Sequence, residues 1–236
     1  MSTKYFILSK PKNENIANNE KNQLFFLNDQ DTHILPEVNL EYYCKHGLFE
    51  KELIEWCKQF CSKDKVFLDI GAHSGTYAIS VADVSKEVWA FEPQQMTYYA
   101  LCGGVALSSK RNIICKQLGL GSVNQVGQKT LNIVSNDGGG SSLHSTTGIL
   151  RQETIDIVEL DSMNIENIGF IKMDVEENEL HVLMGARNTL KQSNYPPILF
   201  ESNTDNPTLF NYITNELNYK IITLSGVNNM FLASKS

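Results

Sequence analysis

The stretch Val66-Phe67-Leu68-Asp69-Ile70-Gly71-Ala72-His73-Ser74-Gly75-Thr76-Tyr77 limits what this chain can fold into more than any other. A short apolar run carries a carboxylate near its end. A glycine-bounded turn follows, and then a helix-compatible segment of small residues, Ala78-Ile79-Ser80-Val81-Ala82. This is the order of a buried parallel strand, a tight turn and a helix start. The two glycines let the backbone approach a ligand closely. In an open α/β sheet, ligands bind beyond the carboxyl ends of the strands, and this turn is such an end.

The alternation continues. Val88-Trp89-Ala90-Phe91-Glu92 reads as a second strand closed by Pro93, and Asn112 to Lys116 as a third. The helix expected between them, from Gln94 to Leu107, contains Gly103-Gly104, each glycine costing about 1 kcal/mol against alanine. Then the pattern changes. Gln125 to Val134 reads as an antiparallel strand, Asn136 to Ser142 as a Gly/Ser loop and Ile155 to Leu160 as another strand. Residues 125–160 are therefore an expected insertion, at the edge of the sheet or over its carboxyl end. The alternation resumes with a strand from Ile168 to Asp174, a helix from Glu176 to Leu190, a strand from Pro196 to Glu201 and a helix from Pro207 to Leu217. Lys220 to Leu224 and Asn229 to Ala233 are the last strands, joined by a loop short enough for a hairpin.

The N-terminal part differs. Residues 10–22 are polar and read as a loop or arm, and Leu24 to Leu27 as a short strand. Glu37 to Cys61 has helical periodicity, with Gly47 dividing it into two pieces. The expected organisation is an arm and helical cap over residues 1–62 and the main α/β domain over 63–236.

The formal net charge of -7 speaks against a broad nucleic-acid-binding face, while leaving room for a local basic groove. No stretch approaches the roughly 18 apolar residues of a membrane span. The first apolar run is too short for a signal peptide, so the cytoplasm is the expected compartment. The five cysteines, Cys44, Cys57, Cys61, Cys102 and Cys115, are odd in number and scattered, which suits reduced thiols.

Four apolar runs end in an acid: Asp69, Glu92, Asp174 and Glu201. Parallel strand ends lie along one edge, so the four should gather there. Acids at strand–helix junctions also cap helices. Four in register point further, to an acidic rim suited to a cationic or hydroxyl-rich ligand. A dinucleotide site needs Gly-x-Gly-x-x-Gly and an open helix N-terminus. Here the spacing is Gly71-x-x-x-Gly75 with Asp69 just before it, and a phosphate would meet a carboxylate. Glu92 is placed to accept hydrogen bonds from ribose hydroxyls. The balance favours S-adenosylmethionine (SAM).

These residues resemble a known family. Phe67 to Tyr77 is similar to the cofactor loop of FkbM-type methyltransferases. So are Phe91-Glu92-Pro93, Gly140-Ser141-Ser142-Leu143, Glu159 to Met163, Ile171-Lys172-Met173-Asp174-Val175-Glu176 with its continuation to Ala186, and Pro197 to Glu201. Three departures stand out. His73 replaces the usual asparagine, Glu177 the usual glycine, and Cys102-Gly103-Gly104 lacks the expected asparagines.

The resemblance implies an α/β, Rossmann-like class I methyltransferase, with a mostly parallel seven-stranded sheet, helices on both faces and an antiparallel last strand. It implies SAM-dependent O-methylation of a sugar, glycan or other small hydroxylated acceptor. The cofactor would be held by Asp69, Gly71, Ala72, His73, Gly75, Thr76 and Glu92, with Gln117 and Leu118 near the adenine. Asp174 and Glu176 would orient or deprotonate the acceptor hydroxyl, with Lys172 pairing them or steadying the alkoxide. The alternative for these three is a structural salt bridge plus a capping acid. Ser141, Ser142 and Glu201 are candidate acceptor contacts. A divalent metal on Asp174, Glu201 and Asn203 remains open. So do two other functions, a non-catalytic SAM-binding scaffold and an RNA 2'-O-methyltransferase, the latter a poorer fit to an acidic chain.

Overall fold

The structure, a computed structural model, describes residues 4–10, 31–202 and 206–235. The strand expected at Leu24 to Leu27, most of the polar arm, and Asn203 lie outside them. In chain order the elements are β1 (Tyr5–Lys10), β2 (Asp31–Pro36), α1 (Leu40–His46), α2 (Lys51–Cys57), β3 (Val66–Ile70), α3 (Thr76–Val81), β4 (Glu87–Phe91), α4 (Gln95–Leu107) and β5 (Ile113–Lys116). There follow β6 (Gly119–Leu120), β7 (Gly127–Ile133), β8 (Arg151–Val158), β9 (Ile168–Met173), α5 (Glu179–Met184), α6 (Arg187–Gln192), β10 (Ile198–Glu201), α7 (Pro207–Asn211), β11 (Lys220–Thr223) and β12 (Met230–Ser234).

The central sheet has seven strands in the order β11-β12-β10-β9-β3-β4-β5. Strands β3, β4, β5, β9 and β10 pair in parallel, and β12 runs antiparallel to both neighbours, β10 and β11. From β3 the chain moves outward one way to β4 and β5, and later the other way from β9 to β10. The carboxyl edge between β3 and β9 is thus the topological switch point, where such sheets bind ligands.

Alternating residues feed two apolar layers. Phe67, Phe170, Leu199 and Leu232 point into the layer containing Leu53, Ile54, Ile79 and Leu101, from α2, α3 and α4. Leu68, Ile70, Ile171, Met173 and Phe200 point into the other, against Val182, Leu183, Leu190 and Leu209 from α5, α6 and α7. Phe67 and Phe170 stack at 5.8 Å across adjacent strands. Each fully buried side chain of this size contributes about 1.5–3 kcal/mol.

The described residues before β3 are built onto this frame. The β1–β2 hairpin lies on α4, and Gly103-Gly104 makes the contact. A Cβ on Gly103 would stand 2.5 Å from Ile34 Cδ1, and one on Gly104 3.1 Å from the Thr32 carbonyl. Ser108 at the end of α4 accepts from the Thr32 amide at 2.8 Å and donates to the Thr32 carbonyl at 3.0 Å. The glycines that weaken the helix locally are the surface that receives the hairpin. As the sequence suggests, α1 and α2 part at Gly47, φ +79.

The middle segment forms a separate three-stranded sheet, β6-β8-β7, with its own cluster of Leu131, Ile133, Ile155 and Ile157. Two features depart from expectation: the β1–β2 pair, in a region expected to be an arm and helical cap, and the helix after β9. Instead of one helix from Glu176 to Leu190, α5 starts at Glu179 and stops at Gly185, and α6 follows. Glu176 and Glu177 sit outside it at φ +53 and +74. At Gly185 a side chain would run into the Gly121 carbonyl, 2.0 Å from the Cβ position. Among the described residues no helix is long and apolar enough to cross a membrane.

Candidate active site

The β3–α3 turn is locked from below. Asp69 is fully buried, and its Oδ2 accepts from the Ala78 amide at 2.9 Å. That bond consumes a donor in the first turn of α3 and places a negative charge beneath it. Burial pushes the Asp69 carboxyl up to about 6, against the Lys172 ammonium and the Ala78 amide. Lys172 is buried as well. Its Nζ donates to the Gly71 carbonyl at 3.0 Å and to Asp174 Oδ2 at 3.4 Å, and lies 4.0 Å from Asp69 Oδ1. The Tyr77 ring stands 5.2 Å from the ammonium, and the Tyr77 hydroxyl donates to Glu50 Oε2 at 2.9 Å. Burial disfavours the lysine charge, but Asp174, Asp69 and Glu50 outweigh it and hold its pKa above the ordinary value. At Asp69 a single ammonium faces an enclosed carboxylate, and burial wins. Gly71 is forced: φ is +76, and a Cβ would stand 1.7 Å from the Asp174 carbonyl.

Above this turn lies a cavity of about 270 Å³. Gly71, His73, Thr76, Glu92, Leu118, Asp174 and Glu176 line it, with apolar walls from Phe91, Leu131, Ile155 and Ile157. Pro36, Asn39, Tyr43 and Phe49 close one side, from the segment before the main sheet. Among the described lining residues there is no lysine or arginine. Glu92 is buried and well held. It accepts from the His73 amide at 2.8 Å, the Gln94 amide at 2.8 Å and the Thr97 hydroxyl at 3.1 Å. Burial raises its pKa against these donors.

The Gly/Ser loop roofs the cavity. His73 Nε2 lies 2.6 Å from the Asp137 carbonyl, so this nitrogen carries the proton and donates. Asn39 donates to Asp137 Oδ2 at 3.1 Å, the Ser141 hydroxyl to Gln94 Oε1 at 3.0 Å, and the Gly140 amide to Glu176 Oε1 at 2.9 Å. The Ser142 hydroxyl donates to the Glu176 carbonyl at 2.8 Å. Residues 137–142 are thereby tied to the β3–α3 turn, to the start of α4 and to the segment after β9.

A second cavity, about 500 Å³, also borders that segment. Asp174 and Glu176 line both cavities. The second is otherwise walled by Glu177, Glu179, Leu180, Glu201, Ser202, Asn206, His144 and His181. Burial and then the Asp174 charge raise Glu201 to about 7, and the two share a hydrogen bond. Burial likewise raises Glu179 to about 7, while its Oε1 accepts from the Val175 amide at 3.2 Å. Glu176 is raised by burial and by Asp174. Among the described residues no group of three or more His, Cys, Asp or Glu side chains is arranged to hold a metal ion.

The Methyltransferase FkbM domain matches residues 69–221, from the buried acid of β3 to the last hairpin. The chain belongs to the FkbM methyltransferase family. It is 28% identical over 158 residues to the hexuronic acid methyltransferase AglP of Haloferax volcanii, an alignment covering 66% of this chain and 64% of that protein. In fold it is similar to methyltransferase FkbM from Methylobacillus flagellatus, with a TM-score of 0.52, 22% identity, and 73% of this chain against 44% of that one covered. Precorrin-6y C5,15-methyltransferase from Geobacter metallireducens also has a TM-score of 0.52, at 13% identity, with 81% and 92% covered. The chain thus spans less than two thirds of the length of AglP and of the Methylobacillus protein. The sheet order and the solved relatives make this a Rossmann-like class I methyltransferase fold.

Within that frame the residues singled out by sequence divide. Gly71, His73, Thr76, Glu92, Leu118, Ser141, Asp174 and Glu176 come together on the first cavity, and Glu201 joins Asp174 and Glu176 on the second. Ala72, Gly75 and Gln117 line neither. Asp69 and Lys172 lie beneath the surface and act on the turn and on Asp174. Ser142 holds the roof. Sequence reading passed over Asp137, Asn39, Gln94 and Asn178. They are polar residues in loops and helix starts with no spacing to mark them, and only the folded contacts reveal them. Glu177 did carry a signal, because it replaces a glycine. Its φ of +74 costs a non-glycine residue on the order of 1 kcal/mol.

Proposed function

We propose that this protein is a SAM-dependent O-methyltransferase that acts on a hydroxyl of a sugar, a glycan or another small hydroxylated molecule. One observation carries the reading: two cavities at the end of β9 share Asp174 and Glu176 in their lining. A methyl donor in one and an acceptor in the other would meet at those two carboxylates. The sugar relative supports the acceptor class.

The first cavity fits SAM and not a phosphate-bearing cofactor. The amide that would greet a phosphate is spent on Asp69, and the described walls carry no lysine or arginine. A sulfonium with an amino group suits the carboxylate wall, and the apolar patch of Leu118, Leu131 and Ile155 suits an adenine ring. Bound there, SAM would supply an electrophilic methyl group for in-line displacement.

The chain's own residues would do the rest. Glu92 accepts hydroxyl hydrogen bonds from the donor's ribose. The Gly71 carbonyl, fixed by Lys172, sets the floor. Asp174 and Glu176 align the acceptor oxygen, and Asp174 takes its proton as the bond forms. Lys172 donates to Asp174 Oδ2 and holds that carboxylate in place. Glu201 holds a proton near neutrality, so the Asp174–Glu201 pair can receive and pass on the one released. Of the segment before β3, Pro36, Asn39, Tyr43 and Phe49 wall the donor cavity as a cap. Residues 125–160 bring the roof to the donor side and His144 to the acceptor side.

The test is transfer of labelled methyl from SAM to a panel of sugars, with release of S-adenosylhomocysteine measured alongside. Turnover on at least one hydroxylated acceptor, lost in Asp174→Ala while SAM still binds, is the expected result. Tight SAM binding without turnover on any acceptor would instead favour a scaffold.

A further inference from the structure

His144 follows the Gly/Ser roof, and both its backbone and its ring are held. Its amide donates to Ser142 Oγ at 3.1 Å, and that hydroxyl donates in turn to the Glu176 carbonyl. Its ring Nε2 lies 3.4 Å from Asn178 Oδ1. Asn178 is buried just before α5, and its amide is oriented by its other partners. Nδ2 donates to the Leu120 carbonyl at 3.0 Å and to Gln125 Oε1 at 3.2 Å, while Oδ1 accepts from Gln125 Nε2 at 2.8 Å. Turned over, the amide would set an oxygen against the Leu120 carbonyl. Oδ1 therefore faces His144, Nε2 carries the ring hydrogen, and Nδ1 of the neutral ring keeps a bare lone pair. Asn178 does not need this contact, because Leu120 and Gln125 already engage both ends of its amide. What the contact does is fix the ring of His144. That ring lines the second cavity, and among the described residues its Nδ1 has no hydrogen-bond partner. His181, also on that wall, has its Nδ1 engaged by the Ser122 hydroxyl at 3.1 Å.

We propose that His144 is an acceptor-binding residue, whose Nδ1 accepts a hydrogen bond from a second hydroxyl of the acceptor, one that is not methylated. This rests on the reading of the second cavity as the acceptor site. Asp174 and Glu176 line both cavities, so the reacting oxygen belongs beside them; His144 lines the second alone and meets a different part of the acceptor. Tied to Glu176 through Ser142 and to the start of α5 through Asn178, the ring holds its lone pair in register with the carboxylates that align the reacting oxygen. A nitrogen already in place loses little freedom on binding. The acceptor is then a diol or polyol, and not a molecule with a single hydroxyl.

The experiment compares the full-length protein with His144→Ala, His144→Asn and His144→Gln. Asparagine carries an oxygen two bonds from Cβ, where Nδ1 stands, and so keeps an acceptor for the hydroxyl. Glutamine carries its nitrogen three bonds out, where Nε2 stands, and so keeps the contact to Asn178. The methyl glycosides of glucose, galactose and glucuronic acid are screened first, by turnover and by saturation-transfer NMR on the S-adenosylhomocysteine-loaded protein. Monodeoxy forms of the best one follow, read as kcat/KM, or as affinity for the loaded protein where the glycoside binds without turnover. Removing one non-reacting hydroxyl should weaken the wild-type value by roughly 2- to 10-fold, the worth of one neutral hydrogen bond. In His144→Ala that penalty should vanish, because the contact is already lost, with KM for SAM and the thermal midpoint little changed. His144→Asn should restore part of the penalty and His144→Gln none of it. NMR of isotope-labelled histidine at pH 8 should show the Nε2–H tautomer at His144. Equal deoxy penalties in wild type and His144→Ala at every position, restoration by glutamine instead of asparagine, or an Nδ1–H tautomer overturns the assignment of His144 and leaves the acceptor site standing. If none of the three glycosides binds the loaded protein, the sugar-acceptor reading fails and this inference with it.

Discussion

Lys172→Met tests the buried charge network under the cofactor turn. The side chain keeps nearly the same length and volume, so the change removes charge and three contacts: the Gly71 carbonyl at 3.0 Å, Asp174 at 3.4 Å and Asp69 at 4.0 Å. Asp69 Oδ1 is buried and makes no hydrogen bond, so Lys172 is its remaining electrostatic partner. Removing one member of a buried pair typically costs about 3–5 kcal/mol, because the other is left charged and unpaired. For a chain of this size that is a fall in thermal midpoint of roughly 6–20 °C. The sign with pH follows from Asp69. Its folded pKa, already raised by burial to about 6, rises further without the lysine. A carboxyl raised on folding contributes stability below its unfolded pKa and loses it as pH increases through the folded value. The variant should therefore be markedly less stable at pH 8 than at pH 5 relative to wild type, by calorimetry or circular dichroism melts. Adding Asp69→Asn removes the orphan charge while leaving an oxygen to accept from the Ala78 amide, and should recover part of the loss. A variant within 2 °C of wild type at pH 8, on the order of 1 kcal/mol or less, or a loss that does not change with pH, would refute the argument.

Three further outcomes follow from the same geometry. Gly71→Ala would force a positive φ on alanine and press its Cβ on the Asp174 carbonyl. Since misplacement by about 1 Å can cost on the order of 10²-fold, kcat should fall by that order and SAM affinity should weaken in calorimetry; unchanged binding would contradict the close approach. In wild type, kcat/KM should rise with pH through about 7 as Glu201, beside Asp174, gives up its proton. Glu201→Gln, which donates permanently to Asp174, should remove that limb, and a limb that persists in the variant would place the titration elsewhere. His73→Ala unpins the roof at Asp137; KM for SAM should rise by roughly 2- to 10-fold, the worth of one hydrogen bond, with the melting curve little changed. An unaltered KM would mean that the roof holds without it.

Much of the sheet was legible because its signals are local. Val66 to Ile70 and Ile168 to Met173 are apolar runs buried on both faces, and such strands announce themselves without reference to partners. The antiparallel last strand came from family resemblance rather than from periodicity, since nothing local tells β12 to insert between β10 and β11. The helix after β9 was misread for a physical reason. Glu176, Glu177 and Glu179 look like the acidic first turn of a helix, and the dipole argument would welcome them there. In the structure Glu176 accepts from the Gly140 amide, 36 residues back, and its carbonyl accepts from Ser142. Those contacts hold Glu176 in place outside α5, which begins three residues later, and no short-range pattern encodes them. Asp69 was read as a contact for the ligand because an acid at a strand end commonly is one. Its exposure of 0% and its bond to Ala78 put it one layer down. The roof pins, Asn39 and Asp137, are 98 residues apart and carry no sequence mark.

The unwound turn after β9 explains why two cavities can share a wall. Had α5 begun at Glu176, that residue would stand in the first helical turn, with its backbone committed to the helix. At φ +53 and +74 the chain instead folds back on itself over Glu176 and Glu177 before α5 begins. Asp174 and Glu176 then line both cavities, and Glu177 lines the second alone. The left-handed residues cost on the order of 1–2 kcal/mol each. The roof offsets this locally, through the Gly140 amide and the Ser142 hydroxyl that bind Glu176 at side chain and carbonyl. The inserted segment is therefore part of the site's construction and not only its cover. A chain that lost residues 137–142 would lose the contacts that keep Glu176 out of the helix, and the wall between donor and acceptor would lose its shape even with every proposed catalytic residue still in place.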